Sequence, residues 1–268
     1  MPEKCIGVFD SGLGGLTCVK ELMALLPEEP IVYFGDTGRV PYGSKSNETI
    51  IKYVRSDIKF LSTFDLKMIV VACGTASAIA LPVVKDEVDV PILGVVDNAA
   101  KAAVAATKNK KIGIIGTSGS IRSGAYERKI KEQNPEIETV ATACPLFVPL
   151  VEEGYTKGQV AEIVAREYLE KIKQSGADTL ILGCTHYPLL KDTIAKVMGE
   201  GVTLIDPGMV TAGYVKDYLT KEGLLSHSGG QRYFVSDCPD SFERLAEEFL
   251  KCDIPDGSIK KINIEEYM

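Results

Sequence analysis

The sequence predicts an α/β protein made of two similar α/β domains with mostly parallel sheets, and an active site in the cleft between them. Three observations predict it. Short β-rich runs alternate with helical stretches along the chain. The opening run Ile6-Gly7-Val8-Phe9-Asp10-Ser11-Gly12 resembles Ile112-Gly113-Ile114-Ile115-Gly116-Thr117-Ser118. Two cysteines each end a short apolar run with threonine close behind, in Lys67-Met68-Ile69-Val70-Val71-Ala72-Cys73-Gly74-Thr75 and in Asp178-Thr179-Leu180-Ile181-Leu182-Gly183-Cys184-Thr185-His186. Ile112 follows Ile6 at nearly the spacing at which Cys184 follows Cys73, as one unit used twice would require. The competing reading is chance likeness between glycine-punctuated strands.

Strands are expected over residues 6–9, 31–34, 68–72, 92–93, 112–115, 139–143, 180–182, 203–205 and 233–235, with helices in the gaps. Between 158 and 175 the helical period places Val160, Ile163, Val164, Leu169 and Ile172 on one stripe. Alternating strands and helices imply βαβ units with right-handed crossovers. Active sites in such sheets lie at the carboxyl ends of strands, where both cysteines fall. The Ala/Lys-rich stretch 98–111 holds the first crossing, and Asp206-Pro207-Gly208 begins the return. The expected domains are therefore residues 1–97 with 208–268, and residues 98–207.

Composition narrows the function class. The chain has 268 residues, enough for one large core or two moderate ones. A net charge of −7 argues against a general nucleic-acid binder. No apolar run approaches a membrane span. Met1-Pro2-Glu3-Lys4 leads directly into the first strand, so no signal peptide is expected. Seven cysteines without a framework spacing read as reduced thiols in a cytoplasmic protein.

A cysteine at a strand end is most often a small buried hydrophobe. Cys5, Cys18, Cys144, Cys238 and Cys252 are expected to be that, or surface residues. Cys73 and Cys184 differ because polar, hydroxyl-bearing residues follow each at a predicted strand-to-helix turn. Free backbone N–H groups and the positive end of a helix there lower a thiol pKa. Thiols from two halves facing one cleft suit a reaction that needs an acid and a base of the same kind on opposite faces of a substrate. Only two histidines are present, which excludes a His-rich metal site. Cys184 and His186 have no Cys-x-x-Cys partner set for zinc. His186 is better placed as a proton partner, and His227 as a loop residue.

Two loops compete for other roles. Asp10-Ser11-Gly12-Leu13-Gly14-Gly15-Leu16-Thr17 nearly matches a dinucleotide-binding turn, and Asp36 ends the next strand as a ribose-binding acid would. Against this, Thr17 replaces the third glycine, and the Asp10 carboxylate would repel a pyrophosphate. No Gly-Lys-Ser/Thr phosphate loop is present. The turn-rich loop Gly35-Asp36-Thr37-Gly38-Arg39-Val40-Pro41-Tyr42-Gly43-Ser44 is an ordinary βα connection or a wall of the site, on the same rim as Asp10 and Cys73.

Taken together these segments resemble the cofactor-independent aspartate/glutamate racemase superfamily, its glutamate racemases in particular. The matching stretches are 9–15, 35–43, 72–78, Gly116-Thr117, Leu150-Val151-Glu152 and Gly183-Cys184-Thr185-His186-Tyr187-Pro188, in the family's order through most of the chain. One position departs: the family usually has Asn after its first cysteine, and here it is Gly74. The resemblance implies racemisation of L-glutamate to D-glutamate for peptidoglycan, with no cofactor and no metal. It implies that Cys73 and Cys184 exchange protons with the substrate, and that Asp10, His186 and Glu152 assist. Asp10, Ser11, Pro41, Tyr42, Gly43, Gly74, Thr75, Thr117, Thr185 and His186 would bind the substrate, Gly74 through its backbone N–H. The expected partners are this small molecule and a second copy of the chain in a homodimer, with no nucleic acid and no membrane. Some family members carry an N-terminal extension linked to activation by a cell-wall precursor. A chain that starts at its first strand is expected to lack that control.

Three alternatives stay open at this level. One is a superfamily member acting on aspartate, or performing a related isomerisation or decarboxylation. The second is a non-catalytic amino-acid-binding protein, and the third a thiol oxidoreductase.

Overall fold

The computed structural model describes residues 4–254 and 258–268. In chain order the first part runs β1 (Cys5–Asp10), α1 (Leu16–Leu25), β2 (Ile31–Gly35), α2 (Asn47–Leu61), β3 (Leu66–Val71), α3 (Gly74–Ile79), α4 (Leu81–Val84), β4 (Ile92–Gly94) and α5 (Val95–Ala106). There follow β5 (Lys111–Gly116), α6 (Ser118–Ser123), α7 (Ala125–Gln133), β6 (Glu138–Ala143), α8 (Phe147–Glu152), α9 (Gln159–Gln174), β7 (Thr179–Gly183), α10 (Lys191–Met198) and β8 (Thr203–Ile205). The chain closes with α11 (Pro207–Glu222), β9 (Gln231–Val235), α12 (Pro239–Leu250) and β10 (Ile259–Lys261).

The strands form two sheets. One has six strands in the order β10-β9-β2-β1-β3-β4, the other four in the order β6-β5-β7-β8. Every pairing is parallel, so "mostly parallel" becomes wholly parallel. Buried parallel strands are apolar on both faces. In β1, Ile6 and Val8 enter one apolar cluster and Phe9 the cluster on the other face; in β7, Leu180 and Leu182 divide from Ile181 in the same way. The two sheets have equivalent centres: β1 lies between β2 and β3, and β5 between β6 and β7. β3 and β7, the strands before the two cysteines, thus hold matching places.

The connections between the sheets follow from local chemistry. α5 leaves the end of β4 and packs on α7 and α11. The return is set by Asp206, whose side chain accepts from the N–H groups of Gly208 and Met209, with Pro207 in the first turn. Gly223 ends α11 in the left-handed region at φ 65°.

Two expectations needed correction. β10 lies outside the strands expected from sequence, because Ile259-Lys260-Lys261 is a short, charged edge strand whose partner among the described residues is β9. On α9 the stripe was mis-phased: Val160 and Ile163 are 49% and 56% exposed, while Ala161 and Ala165 face the core beside Leu169 and Ile172. Small alanines allow close packing there but carry little weight in a hydrophobic pattern. Among the described residues, no helix is long and apolar enough to cross a membrane.

Candidate active site

The carboxyl ends of β1, β2 and β3 in one sheet, and of β5 and β7 in the other, converge on one cavity of about 240 Å³. Its lining includes Ser11, Pro41, Tyr42, Gly43, Cys73, Gly74, Thr75, Thr117, Glu152, Cys184, Thr185 and His186. Every residue assigned to the site from sequence except Asp10 is therefore at the wall. Gly12, Val40, Val148, Pro149 and Gly183 also line it. Sequence reasoning missed these as site residues. Gly12, Val40 and Gly183 lay inside motifs already noted, whereas Val148 and Pro149 gave no chemical signal of their own.

Cys73 ends β3 and serves as the N-cap of α3, its sulfur accepting from the Ala76 N–H at 3.4 Å. Its thiol donates to Ser11 Oγ at 3.5 Å. Burial, and then the nearby Asp10 carboxylate, push the Cys73 thiol up to about 12. These neighbours favour the protonated thiol at Cys73.

Cys184 has different company. His186 places Nδ1 3.9 Å from the Cys184 sulfur and Nε2 3.1 Å from Glu152 Oε1. The imidazole is buried and its edge meets the Phe249 ring at 5.5 Å. Burial opposes the charged ring, but the Cys184 sulfur and Glu152 outweigh it and push His186 up to about 10. Glu152, on α8, is exposed and accepts a hydrogen bond from the second ring N–H of the imidazolium.

Asp10 sits behind the wall. It accepts from the Gly12 N–H at 2.9 Å and from Thr185 Oγ1 at 3.4 Å. Burial raises its carboxyl above the usual range, partly offset by His186. It is not among the residues that line the cavity, and its charge acts on the Cys73 thiol.

Tyr42 lines the cavity, and its hydroxyl is bound to Asp36 Oδ2 at 2.5 Å and Asp57 Oδ2 at 2.9 Å. That hydroxyl is not offered to a ligand. Asp36 also pairs with Arg39 at 2.6 Å, which removes the acid that a ribose site would need. The glycine turn has a different purpose from phosphate binding. A Cβ on Gly14 would lie 2.3 Å from Thr185 Oγ1 and 2.5 Å from His186 Nδ1. Gly14 is needed because the Cys184 segment packs against it, while Gly12 makes room for Val40 and Gly15 for Asp10 and Tyr33.

Hydroxyl groups complete the seam between the two sheets. Thr75 Oγ1 and Thr117 Oγ1 are 2.9 Å apart, and a Cβ on Gly43 would meet Thr117 Cβ at 2.9 Å. A Cβ on Gly74 would lie 2.6 Å from the Gly183 carbonyl oxygen. The strand ends that carry the two cysteines therefore touch through glycine backbone.

A cleft between two parallel sheets, with one thiol from each, defines a class of two-base isomerising enzyme. The chain belongs to the family described as Asp/Glu/Hydantoin racemase, whose pattern matches residues 17–215. It is 48% identical to a glutamate racemase of Geobacter metallireducens over 99% of this chain and 98% of that protein. Among solved structures it resembles a glutamate racemase of Bacillus anthracis, with TM-score 0.93 and 38% identity over 98% of each chain. It also resembles the Francisella tularensis glutamate racemase in complex with D-glutamate, with TM-score 0.92 and 38% identity over 100% of both chains.

Proposed function

We propose that this protein interconverts L- and D-glutamate without a cofactor, using Cys73 and Cys184 as alternating base and acid. The observation that carries the reading is one thiol from each of two equivalent strand ends on a single small cavity. Racemisation breaks the Cα–H bond on one face and forms a new one on the other. In one direction the thiolate of one cysteine takes the α-proton, and the thiol of the other gives its proton to the opposite face. The sulfurs leave the reaction with their roles exchanged, and the starting state returns by proton exchange with neighbours and solvent.

The carbanion has no electron sink, so donors around the carboxylates must carry its charge. The Ser11, Thr75, Thr117 and Thr185 hydroxyls, with the Gly74 N–H, are the donors for this. His186, held by Glu152, is the proton partner of Cys184, and Asp10 acts on Cys73 through space. The two halves are domains of residues 1–97 with 208–268, and 98–207. The product serves peptidoglycan synthesis in the cytoplasm, and the working form is a homodimer.

The test is incubation of purified protein with L-glutamate in D₂O, followed by NMR, with L-aspartate as control. Loss of the α-proton signal with growth of D-glutamate is expected. Exchange on aspartate alone would sink the substrate assignment.

A further inference from the structure

The loop that forms one wall of the cavity is anchored by a buried cluster outside the catalytic pair. Asp36 directly follows β2, Arg39 and Tyr42 come next in the loop, and Asp57 lies inside α2. Asp36 and Asp57 have fully buried side chains, and that of Arg39 is 8% exposed. Arg39 donates from Nε to Asp36 Oδ2 at 2.6 Å and from Nη2 to Asp57 Oδ1 at 2.9 Å. Its guanidinium also lies 4.2 Å from the centre of the Tyr53 ring.

The proton count does not close if both carboxyls are ionised. Two anions would share one cation out of reach of water, which is costly. The Tyr42 hydroxyl contacts a carboxyl oxygen of each aspartate, yet it has one proton to give. The other contact needs a proton from a carboxyl group. Asp36 takes the Nε bond and the shorter tyrosine bond on the same oxygen, so it is the anion. We propose that Asp57 is a positioning residue that works as a neutral carboxylic acid, donating to Tyr42, which donates to Asp36, so that the loop wall is fixed against the substrate. Burial, and then the Asp36 charge, raise Asp57 well above the usual carboxylate range, in agreement. The charged and titratable groups that face it are Asp36, Arg39 and Tyr42 from the loop and Asp10 from β1. The consequence reaches the site because Pro41, Tyr42 and Gly43 line the cavity and Gly43 abuts Thr117 of the other sheet.

The activity arm of the test rests on the glutamate reading; a spectroscopic arm does not. Asp57→Asn keeps the shape and can donate from its amide to Tyr42 while accepting from Arg39. It should fold and keep kcat/KM within about threefold of wild type, whereas Asp57→Ala should lose about tenfold or more, mainly through KM. Asp36→Asn, which removes the anion, should lose more than Asp57→Asn. In full-length protein carrying ¹³C-labelled aspartate, the infrared difference between wild type and Asp57→Asn at neutral pH should contain a protonated-carboxyl C=O band. Absence of that band, or an Asp57→Asn protein that fails to fold or loses activity as Asp57→Ala does, would overturn the proposal. So would an Asp57→Ala protein of unchanged activity. If no amino acid is racemised at all, the infrared band still decides the protonation state.

Discussion

Cys73 and Cys184 end equivalent strands, yet one caps a helix and the other faces an imidazole. The Cys73 sulfur both accepts from a backbone N–H and donates to Ser11, with the Asp10 carboxylate behind it. Cys184 looks onto His186, which Glu152 backs from the cavity mouth. Equivalent topology thus supplies two positions on one cavity, one from each sheet, while unlike neighbours surround them. On the Cys73 side, burial and the Asp10 carboxylate favour the protonated thiol. On the Cys184 side, the sulfur and Glu152 favour the charged form of the His186 ring. The difference lies in the neighbours of the two sulfurs, not in the strands that carry them.

The hardest test of the comparison removes either sulfur. Cys73→Ala and Cys184→Ala should each lower turnover by about 10⁴-fold in both directions with the fold intact, as read by chiral product assay and circular dichroism. Near-normal turnover in either variant would remove that thiol from the mechanism. His186→Asn should cost about 10²–10³-fold, carried by kcat more than KM, and unequally for the L→D and D→L directions. A loss confined to KM would make His186 a binder.

The same histidine carries a stability signature. Its folded pKa, about 10, lies above the ordinary 6.5. Its contribution is therefore full below pH 6.5 and is lost as pH rises through about 10. Thermal midpoints measured across that window should fall less steeply for His186→Asn than for wild type; parallel curves would contradict the assignment.

Gly74→Asn is the next smaller perturbation. Restoring the residue usual in the family looks harmless from sequence. The 2.6 Å approach of a Cβ to the Gly183 carbonyl makes it a wedge between the two cysteine-bearing strand ends. It should destabilise by about 1–3 kcal/mol in denaturant titrations, with lower activity from displaced sulfurs. Full activity and unchanged stability would show that the strand ends can part freely. Glu152→Gln should be mildest, about tenfold in kcat, since it acts on Cys184 only through His186. An effect as large as that of His186→Asn would give the carboxylate a direct role.

What sequence could show was set by chemistry that announces itself. Strand-end thiols, the alternation of strands and helices, and a histidine two positions after Cys184 are local patterns. The network around Asp57 is not, because Asp57 sits in α2 among Arg55, Ser56 and Lys59 and reads as one more solvated helix residue. The glycine turn at 12–15 was ambiguous for a related reason. A missing Cβ records close approach but not what approaches, and here it is protein side chains: Val40 at Gly12, Thr185 and His186 at Gly14, and Asp10 and Tyr33 at Gly15. The bonds from the Tyr42 hydroxyl to two buried aspartates were equally out of reach, because Asp36 and Asp57 become its neighbours only in the fold.

The strand order of the larger sheet also fixes a timetable for synthesis. β2 pairs on one side with β1, but its other edge pairs with β9, so that Ile31 waits for Gln231, two hundred positions later. At ordinary translation rates that interval is on the order of 10–40 s. The four strands of the smaller sheet emerge without interruption in between and can close around their own core. For all of that time Ile31, Val32, Tyr33 and Phe34, buried in the finished molecule, present an apolar, unpaired edge. The nascent chain's exposure to misassembly and its demand on chaperones concentrate on β2, far in sequence from the strand that ends the risk.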